Sequence, residues 1–583
     1  MKENIKAFPR SSVKLLPGIL RERFDVNRYY LMSLESDGLL FNHKMEAVLA
    51  QTGGTIMPSP TDRSKHGGWE DPGCQLRGHF LGHWLSAAAR IWSSTGDKQI
   101  KDKADYIIDE LEKCQNQNGN GWLGSIPEKY MQKMIMKQHA WAPHYTLHKT
   151  MMGLYEMYSL GENKKALTLM EKFADWFYKW TKQFSRKEMD DILDYETGGM
   201  LEALADLYGV TGDKKHRELL DRYYRARLFD EVLKGKDVLS NRHANTMIPE
   251  IYGAARCYEV TGEEKFRKIA EKFWHAVVPS RMYSTGGHTN NEVWSEPNKL
   301  ANTLGEKNQE FCTVYNMMWL TQYLLRWSGD PKYGDYYERN LVNGILTGQR
   351  PDDGMITYYH SFKTGGIKKW GTSRHSFWCC YGTGVQAFAE LNHMIYLHND
   401  ENVYVNLYAS SELDSKHNGS EFKLIQHNKM PNEESSHMMF LCPKPIKMGL
   451  SLRIPWWATE GVKITINNKP EKGPFKPSSF YTIKRTWEEG DFISVTLPNK
   501  LYTCQMPDDK NVASVLYGPM VLAGITPRDV ELKGDAKNPG KWLKKISDEP
   551  LRFKAKSDNG DIEFMPMYEV KDQKFGIYFR VKK

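Results

Sequence analysis

The chain has 583 residues, 40% hydrophobic and 12% aromatic, which is enough apolar material for the cores of about two to four domains. Its 80 basic and 72 acidic side chains leave a net charge of only +8. Without a Lys/Arg run, this balance excludes the basic footprint of a nucleic-acid-binding protein. No apolar run approaches the roughly 18 residues of a membrane span, so we expect no membrane partner.

Cysteine usage and the N-terminus bear on the cellular compartment. Eight cysteines in 583 residues do not resemble a disulfide framework, and they favour a reducing compartment or thiols that a metal keeps reduced. Residues 1–6 lack the apolar segment of a signal peptide. Two localisations are therefore possible: the cytoplasm, or the periplasm or cell exterior if a signal peptide has been removed. We expect a monomer or a homodimer.

The first 400 residues divide into a short lead segment and a long helical region. Residues 1–25 contain the helix breakers Pro9 and Pro17, and we expect an extended segment that packs on the β region. Residues 26–400 have helical periodicity. A unit recurs there: an apolar helix, a turn with Gly followed by an acid, and an amphipathic helix. The turns contain Gly96, Gly161, Gly212, Gly262 and Gly329, at intervals of about 50–67 residues.

This repeat is typical of an α-hairpin array, which forms either an open solenoid or a closed toroid. Five hairpins, a lead-in helix at about 26–50 and a final helix at about 384–397 supply the twelve helices of six hairpins in a ring. We therefore predict an (α/α)6 toroid, in which the loops that enter the inner helices line one central pocket.

After about residue 400 the apolar period changes to two, which predicts strands at 403–408, 450–454 and 492–497. Turn signals follow at Asn467-Asn468 and Asn559-Gly560. Residues 401–583 therefore predict one or two antiparallel β-sandwich domains.

Three of the eight cysteines and a carboxylate stand at the two ends of residues 310–384: Glu310, Cys312, Cys379 and Cys380. Thiolates and a carboxylate suit a tetrahedral Zn²⁺ site. The spacing is not that of a zinc finger, and both pairs point apart on a regular helix. We therefore expect irregular backbone, for which Gly382 and Gly384 are suitable. Three buried structural cysteines are the alternative.

Polar side chains recur just before or early in the predicted inner helices. His79 and His83 share a helical face and form a candidate metal pair, but they lack the acid of a zincin motif, so core or pocket histidines are the favoured interpretation. The other positions are His144, His148, Glu196 and His243. In a toroid these positions converge, which predicts a polar pocket.

The loop 286–296 offers two candidate acids, Glu292 and Glu296. By composition alone, each is typical of a solvated loop carboxylate.

Several motifs together carry a resemblance to a known family. They are RGHFLGH (77–83), YTLHK (145–149), Gly286-Gly287 followed by Glu292, EFCTVYNM (310–317), DYYER (335–339), SFWCC (376–380), LRIPWW (452–457) and LYGPMVL (516–522). The combination resembles the β-L-arabinofuranosidases of glycoside hydrolase families 127 and 146, over about residues 10–530. The spacing around Glu310 and the Trp-Cys-Cys form are closer to family 146.

The resemblance implies an (α/α)6 toroid followed by β-sandwich domains. It implies Zn²⁺ held by Glu310, Cys312, Cys379 and Cys380, with Cys379 as nucleophile and Glu292 as acid/base. By motif position, His79, His148, His243 and Tyr358 are expected to hold sugar hydroxyls. The implied reaction is the release of β-L-arabinofuranose from the ends of plant glycans with retention of configuration. Glu292 departs from the family context, in which Gly-Glu or Ser-Glu precedes Phe or His, and Glu296 is its rival.

Two other function classes remain open at this point. Polysaccharide lyases and sugar epimerases also use helical toroids, but they need no Cys-Cys metal site. The other alternative is a non-catalytic carbohydrate-binding protein whose fold is stabilised by a structural zinc ion.

Overall fold

The fold is given by a computed structural model, which describes residues 4–52, 66–429, 431–548 and 550–582. The described residues contain sixteen α-helices: α1 (Ile19–Ser33), α2 (Ser36–Thr52), α3 (His79–Thr95), α4 (Lys98–Asn118), α5 (Lys129–Ile135), α6 (Pro143–Ser159), α7 (Lys164–Thr181), α8 (Arg186–Leu193), α9 (Met200–Thr211), α10 (Lys214–Arg222), α11 (Ala226–Leu233), α12 (Ala244–Thr261), α13 (Glu264–Arg281), α14 (Phe311–Ser328), α15 (Pro331–Asn340) and α16 (Cys379–Phe388). Among the described helices, none has the length and apolar character needed to cross a bilayer.

The strands contribute one short hairpin and three sheets. In chain order they are β1 (Lys6–Ala7), β2 (Val13–Leu15), β3 (Thr289–Asn290), β4 (Val293–Trp294), β5 (Tyr396–His398), β6 (Asn402–Val405), β7 (Ser411–His417), β8 (Ser420–Asn428), β9 (Ser435–Leu441), β10 (Ile446–Ile454), β11 (Lys463–Ile466), β12 (Lys469–Pro470), β13 (Ser479–Trp487), β14 (Asp491–Thr496), β15 (Leu501–Gln505), β16 (Val512–Tyr517), β17 (Met520–Ile525), β18 (Glu531–Lys533), β19 (Lys544–Ser547), β20 (Arg552–Ser557), β21 (Gly560–Pro566), β22 (Phe575–Gly576) and β23 (Phe579–Lys582).

Six inner helices form a closed ring. Helices α3, α6, α9, α12, α14 and α16 each pack against the next, and α16 packs against α3. The outer helices α4, α7, α10, α13 and α15 each pack on the inner helix that precedes them, and α1 packs on α16. The predicted (α/α)6 toroid is therefore confirmed, and the open solenoid is not formed.

The glycines of the hairpin turns end the inner helices as expected at four of five positions. Gly96, Gly212, Gly262 and Gly329 end inner helices with left-handed backbone, each donating its N–H to the carbonyl four residues earlier. Gly161 does not do so: the left-handed residue is Glu162, with φ +57°. The expectation for Gly161 is wrong because α6 ends at Ser159 and Asn163, rather than the acid, caps the next helix.

The two ends of the helical region also differ from the prediction. The extended lead segment ends at Gly18, and the lead-in is two helices, α1 and α2, because Leu34 adopts extended backbone between them. The final helix is Cys379–Phe388 rather than about 384–397. Beyond it, the Asn392 side chain binds the Arg10 and Val13 carbonyls, and the chain joins a sheet at β5, before residue 400.

The β region has two parts. A five-stranded sheet (β1-β5-β6-β10-β13) packs on a seven-stranded sheet (β12-β11-β14-β9-β8-β7-β2), with Phe440 and Trp487 5.5 Å apart between them. In the C-terminal part, β16 pairs with both β23 and β17, so that the sheet closes on itself. The C-terminal part is thus not a simple sandwich. Each part also contains one parallel pair of strands, β6–β10 in the five-stranded sheet and β18–β23 in the C-terminal sheet.

One buried arginine joins the sandwich to the toroid. Arg453 on β10 is fully buried and binds Asp335 at 2.7 Å and Glu338 at 3.1 Å, both on α15. Its Nε donates to the Asn406 carbonyl at 2.6 Å. The two sequence motifs that contain these residues, DYYER and LRIPWW, therefore meet at one interdomain contact.

We expect Arg453→Met to destabilise the chain by about 3–5 kcal/mol, because it leaves two buried carboxylates without their cation. The matched control is Lys484→Met, on the neighbouring strand β13, whose exposed pair with Glu401 at 3.7 Å contributes less than about 1 kcal/mol. Denaturant unfolding followed by tryptophan fluorescence measures both. Equal losses in the two variants would contradict this account.

Candidate active site

The starts of the inner helices bring the predicted polar residues to one end of the ring. They are His79 (first residue of α3), His144 and His148 (first half of α6), Glu196 (before α9), His243 (N-cap of α12), Glu310 and Cys312 (N-cap and second residue of α14), and Cys379 and Cys380 (first two residues of α16). Because helix N-termini carry partial positive charge, this end favours anionic side chains.

Glu310, Cys312, Cys379 and Cys380 form one buried cluster, with a ligand atom of each within 4.8 Å of all the others. The Sγ atoms of Cys312 and Cys380 are 3.5 Å apart, and those of Cys379 and Cys380 are 3.9 Å apart. Glu310 Oε1 lies 3.9 Å from Cys379 Sγ. The two sequence pairs, 67 residues apart along the chain, thus meet in space as predicted.

This cluster fits a divalent metal ion. Metal–sulfur bonds of about 2.3 Å at tetrahedral angles place two sulfurs about 3.8 Å apart, close to the distances observed. Glu310 Oε2 is buried without a hydrogen-bond partner. Four anions about 4 Å apart repel one another by about 4 kcal/mol per pair at an effective dielectric constant of about 20, so the ionised cluster requires a cation. Among the described residues, no other group of His, Cys, Asp and Glu converges in this way.

Each ligand pair follows a residue in the left-handed region. Gln309, before Glu310, has φ +46°, and Phe377, before Trp378 and Cys379, has φ +47°. Such backbone is costly for a residue with a side chain and persists where its surroundings fix it. Gln309 donates to the Asn343 carbonyl at 3.1 Å, and the Phe377 carbonyl accepts from His79 at 2.8 Å. The expected irregular backbone therefore lies before the pairs.

The two glycines after the second pair act differently from the expectation. Gly382 and Gly384 lie inside α16. A Cβ on Gly382 would lie 2.1 Å from the His83 ring, and one on Gly384 would lie 2.9 Å from Ile356. They permit close packing of α16 on its neighbours rather than a break in the helix.

Among the three thiols, Cys379 is the one whose surroundings favour the thiolate. Burial raises its pKa, but the polar contacts with Cys312, Cys380 and Tyr358 outweigh burial and lower the pKa well below its usual range. Burial raises the pKa of Cys312 and of Cys380. Of the three thiols, Cys379 is thus the one whose pKa its neighbours lower.

Glu292 stands at the tip of the β3–β4 hairpin. The turn residues Asn291 and Glu292 have φ +49° and +65°, as in a tight hairpin turn of two left-handed residues. Left-handed backbone is unusual for glutamate, and such outliers concentrate at functional sites. The Glu292 carbonyl accepts from the Ala244 N–H at 2.8 Å, which fixes the turn to the start of α12.

Three donors surround the Glu292 carboxylate. The hydroxyls of Tyr358 and Tyr359 donate to Oε1 at 2.6 and 2.5 Å, and His243 Nε2 lies 3.5 Å from Oε2. Burial raises the pKa of Glu292, but these hydrogen bonds outweigh it and lower the pKa to about 2. Burial lowers the pKa of His243, but the contact with Glu292 raises it overall.

A cavity of about 270 Å³ joins the thiol cluster to Glu292. Its lining residues are Trp69, Leu76, Trp141, Tyr145, Glu196, His243, Asn245, Glu292, Glu310, Tyr358 and Cys379. This volume lies near the lower end of the roughly 300–1,000 Å³ typical of ligand pockets, and suits one small ring. Two of the four predicted sugar-binding residues, His243 and Tyr358, are among the lining residues.

His79 and His148 lie behind this cavity rather than on its surface. His79 is fully buried, with Nε2 on the Phe377 carbonyl and Nδ1 3.3 Å from the Tyr145 hydroxyl. His148 Nδ1 accepts from the Gly199 N–H at 3.1 Å, and its buried Nε2 has no partner. Burial lowers the pKa of both, so both are neutral.

The remaining candidates take structural positions. His83 binds the Gln386 side chain at 2.6 Å, and His144 binds the Tyr223 hydroxyl at 3.0 Å. Glu296 lies outside the cavity, half exposed and paired with Lys299 at 2.5 Å. Of the two acids in the loop, only Glu292 faces the thiol cluster.

Sequence reasoning missed several residues of the site: Trp69, Trp141, Asn245 and Tyr359. Trp69 and Trp141 stack edge to face at 4.9 Å, and Trp141 is 40% exposed. Tyr359 is adjacent to the predicted residue Tyr358, and Asn245 lies two residues after His243. The two tryptophans belong to no spacing pattern, so the sequence alone gave no signal for them.

Comparison with known proteins assigns the chain to a family. A family profile described as the β-L-arabinofuranosidase GH127 catalytic domain matches residues 12–393, and one for the GH127 middle domain matches residues 402–499. The chain belongs to glycoside hydrolase family 127. As a family 127 member it is a glycoside hydrolase, with the catalytic profile covering the toroid and the middle profile covering β6 to β14.

Individual relatives agree with this assignment. A non-reducing end β-L-arabinofuranosidase of Bifidobacterium longum subsp. longum is 22% identical over 527 residues, which cover 78% of this chain and 76% of the relative. A solved GH127 β-arabinofuranosidase superposes with a TM-score of 0.80 at 18% identity, over 100% of this chain and 98% of that one. A GH127 β-L-arabinofuranosidase from Geobacillus stearothermophilus T6 gives 0.76 at 18% identity, over 98% and 100%.

We expect Cys380→Ala to lose the bound metal, since three ligands remain and one sulfur position is empty. Plasma mass spectrometry of the purified protein should find one ion per chain in the wild type and well below one in the variant. The matched control is Cys257→Ala, a fully buried thiol on α12 outside the cluster, which should keep one ion. Full metal content in Cys380→Ala would contradict the cluster as the metal site.

Proposed function

We propose that this family 127 enzyme releases single β-L-arabinofuranose residues from the ends of plant glycans with retention of configuration. Cys379 would be the nucleophile and Glu292 the acid/base. The names of the relatives supply the sugar, and the small cavity supports removal of one terminal residue. From the spacing around Glu310 and the Trp378-Cys379-Cys380 form, we also propose a relationship to family 146.

One observation carries this proposal: the Tyr358 hydroxyl joins the two reacting groups. It lies 2.6 Å from Glu292 Oε1 and 3.6 Å from Cys379 Sγ, which limits the separation of those two atoms to about 6 Å. Retaining glycosidases separate their two groups by about 5–5.5 Å, whereas inverting enzymes need about 6.5–9.5 Å to admit water between them. The spacing thus supports direct attack by sulfur on the anomeric carbon.

We propose Zn²⁺ as the ion of the cluster, held by Glu310, Cys312, Cys379 and Cys380, because this donor set suits it. When bound, the ion keeps the sulfurs as thiolates at neutral pH. Cys379 is the ligand whose sulfur also borders the cavity. Cys312 lies 3.2 Å from the Thr383 hydroxyl, and Cys380 lies 3.7 Å from the Tyr358 carbonyl, so these two face protein.

In the first step, Cys379 Sγ forms a bond to C1 of the sugar while the bond from C1 to the leaving oxygen breaks. The leaving oxygen takes a proton from Glu292. Because the pKa of Glu292 is lowered and that of His243 is raised, we propose that a protonated His243 gives its Nε2 proton to Glu292 across their 3.5 Å contact and becomes neutral. In the protonated ring, Nδ1–H would donate to the Thr246 hydroxyl at 2.5 Å.

In the second step, Glu292 takes a proton from water as the water oxygen bonds to C1 and the C1–S bond breaks. Two inversions at C1 give net retention. Tyr358 and Tyr359 hold the Glu292 carboxylate in the ionised form that this step needs.

We also propose roles for the four predicted sugar-binding residues. His243 and Tyr358 would contact sugar hydroxyls directly, since both line the cavity. His79 would act through the Phe377 carbonyl, which it holds beside the nucleophile, and His148 through the loop before α9.

We expect Cys379→Ser to lower kcat on an aryl β-L-arabinofuranoside by at least about 10³-fold, because an alcohol lacks the nucleophilicity of the thiolate. Cys442→Ser is the matched control: this buried thiol in the β region donates to the Trp487 carbonyl, which serine also does. Intact-mass measurement during turnover should find a pentosyl adduct in the wild type and in Cys442→Ser, but not in Cys379→Ser. A near-normal rate in Cys379→Ser would eliminate the sulfur nucleophile.

We expect Glu292→Gln to keep its metal but to lose about 10²–10⁴-fold in kcat/KM on alkyl or sugar leaving groups, and less on a dinitrophenyl leaving group that needs no proton. Glu296→Gln, four residues away and exposed, is the control and should resemble the wild type. If the two variants exchange these behaviours, the acid/base assignment is wrong.

A further inference from the structure

A third carboxylate, Glu196, borders the same cavity as Cys379 and Glu292. It lies in the loop between α8 and α9, half-buried. The proposed mechanism gives roles to Cys379, Glu292 and the metal ligand Glu310, but none to Glu196.

Glu196 differs from the other carboxylates of the cavity in its hydrogen bonds. Glu292 receives three donors, and Glu310 belongs to the metal cluster. Among the described residues, none donates a hydrogen bond to the carboxylate of Glu196. Its oxygens therefore have acceptor capacity that only the contents of the cavity can satisfy.

The backbone around Glu196 is fixed on both sides by one buried arginine. Arg225 binds Asp194 at 3.0 Å on one side, and on the other it binds Glu250 at 3.1 Å. Glu250 in turn accepts from the Thr197 hydroxyl at 2.9 Å. Such support is typical of a side chain held in place for binding.

The residues after Glu196 are also held against the ring. The Gly199 N–H donates to His148 at 3.1 Å. A Cβ on Gly198 would lie 2.9 Å from the His148 ring, and one on Gly199 would lie 2.8 Å from the Tyr252 hydroxyl. The loop is thus packed tightly beneath Glu196, which leaves the cavity as the open direction.

The charges near Glu196 suit a neutral polar ligand rather than a cation or an anion. Burial raises its pKa, His243 lowers it, and Cys379 raises it again, giving about 7. A sugar hydroxyl both donates and accepts, so it bonds the carboxyl in either protonation state.

We propose that Glu196 is a specificity-determining residue that binds one ring or exocyclic hydroxyl of the furanosyl residue in the cavity. This inference rests on the proposed function and adds a contact to it. The hydroxyl would be one that Glu292 and Cys379 do not reach, since those two groups face the anomeric carbon.

The test compares Glu196→Ala and Glu196→Gln with the wild type on p-nitrophenyl β-L-arabinofuranoside and on its 2-, 3- and 5-deoxy analogues. Removing the contact should lower kcat/KM of Glu196→Ala on the parent substrate by roughly 10- to 100-fold. The wild type should lose a similar factor on one deoxy analogue, and on that analogue the variant should equal the wild type within about threefold. Glu196→Gln, which keeps one acceptor, should lose less.

Glu296→Gln is the matched control and should behave as the wild type on all four substrates. Metal content and thermal midpoint establish that the variants fold. Equal losses of Glu196→Ala on all four substrates, or no loss on the parent, would overturn the inference while leaving the proposed function intact. A wild type that does not hydrolyse the parent substrate would overturn the proposed function, and the inference with it.

Discussion

The packing of α14 against α16 positions the reactive groups of this enzyme. Each helix begins with two of the four cluster residues, so the distance between the two helix starts sets the separation of Cys312 from Cys380, 3.5 Å between sulfurs. The segment at Tyr358 lies between them: its carbonyl accepts from the Phe311 N–H at 3.0 Å, and its hydroxyl reaches both Glu292 and Cys379. A shift of either helix would therefore displace the cluster residues together with the contacts of Tyr358 to Glu292 and Cys379, the proposed acid/base and nucleophile.

The helix ring also contributes to the electrostatic potential at the cluster that α14 and α16 form. All six inner helices begin at the same end of the toroid, and their N-termini favour negative charge there. That contribution, about 0.3–1 kcal/mol for each exposed helix end, is smaller than the repulsion among four buried anions. A cation is therefore needed for the ionised cluster. Among the three thiols, the polar contacts around Cys379 lower its pKa, whereas burial raises the pKa of Cys312 and of Cys380.

Much of this arrangement follows from the sequence. The remaining parts could not be predicted, and for each there is a physical reason. Helical periodicity and glycine caps gave the hairpins, but closure of the ring depends on α16 packing on α3, which no local pattern encodes. Gly382 and Gly384 suit the irregular backbone expected beside the second cysteine pair, whereas in the fold they lie inside α16 and admit neighbouring side chains. His79 has the expected position, but its ring binds backbone. Trp69 and Trp141 reach the cavity only through tertiary packing.

The central claim is that three sulfurs and one carboxylate oxygen of this chain surround a single zinc ion beside the sugar-binding cavity. X-ray absorption at the zinc edge measures it most directly, because it counts the ligands by element and gives their distances. The account predicts three sulfurs at about 2.3 Å and one oxygen at about 2.0–2.2 Å. A shell with fewer than three sulfurs, or one dominated by histidine nitrogen, would contradict it.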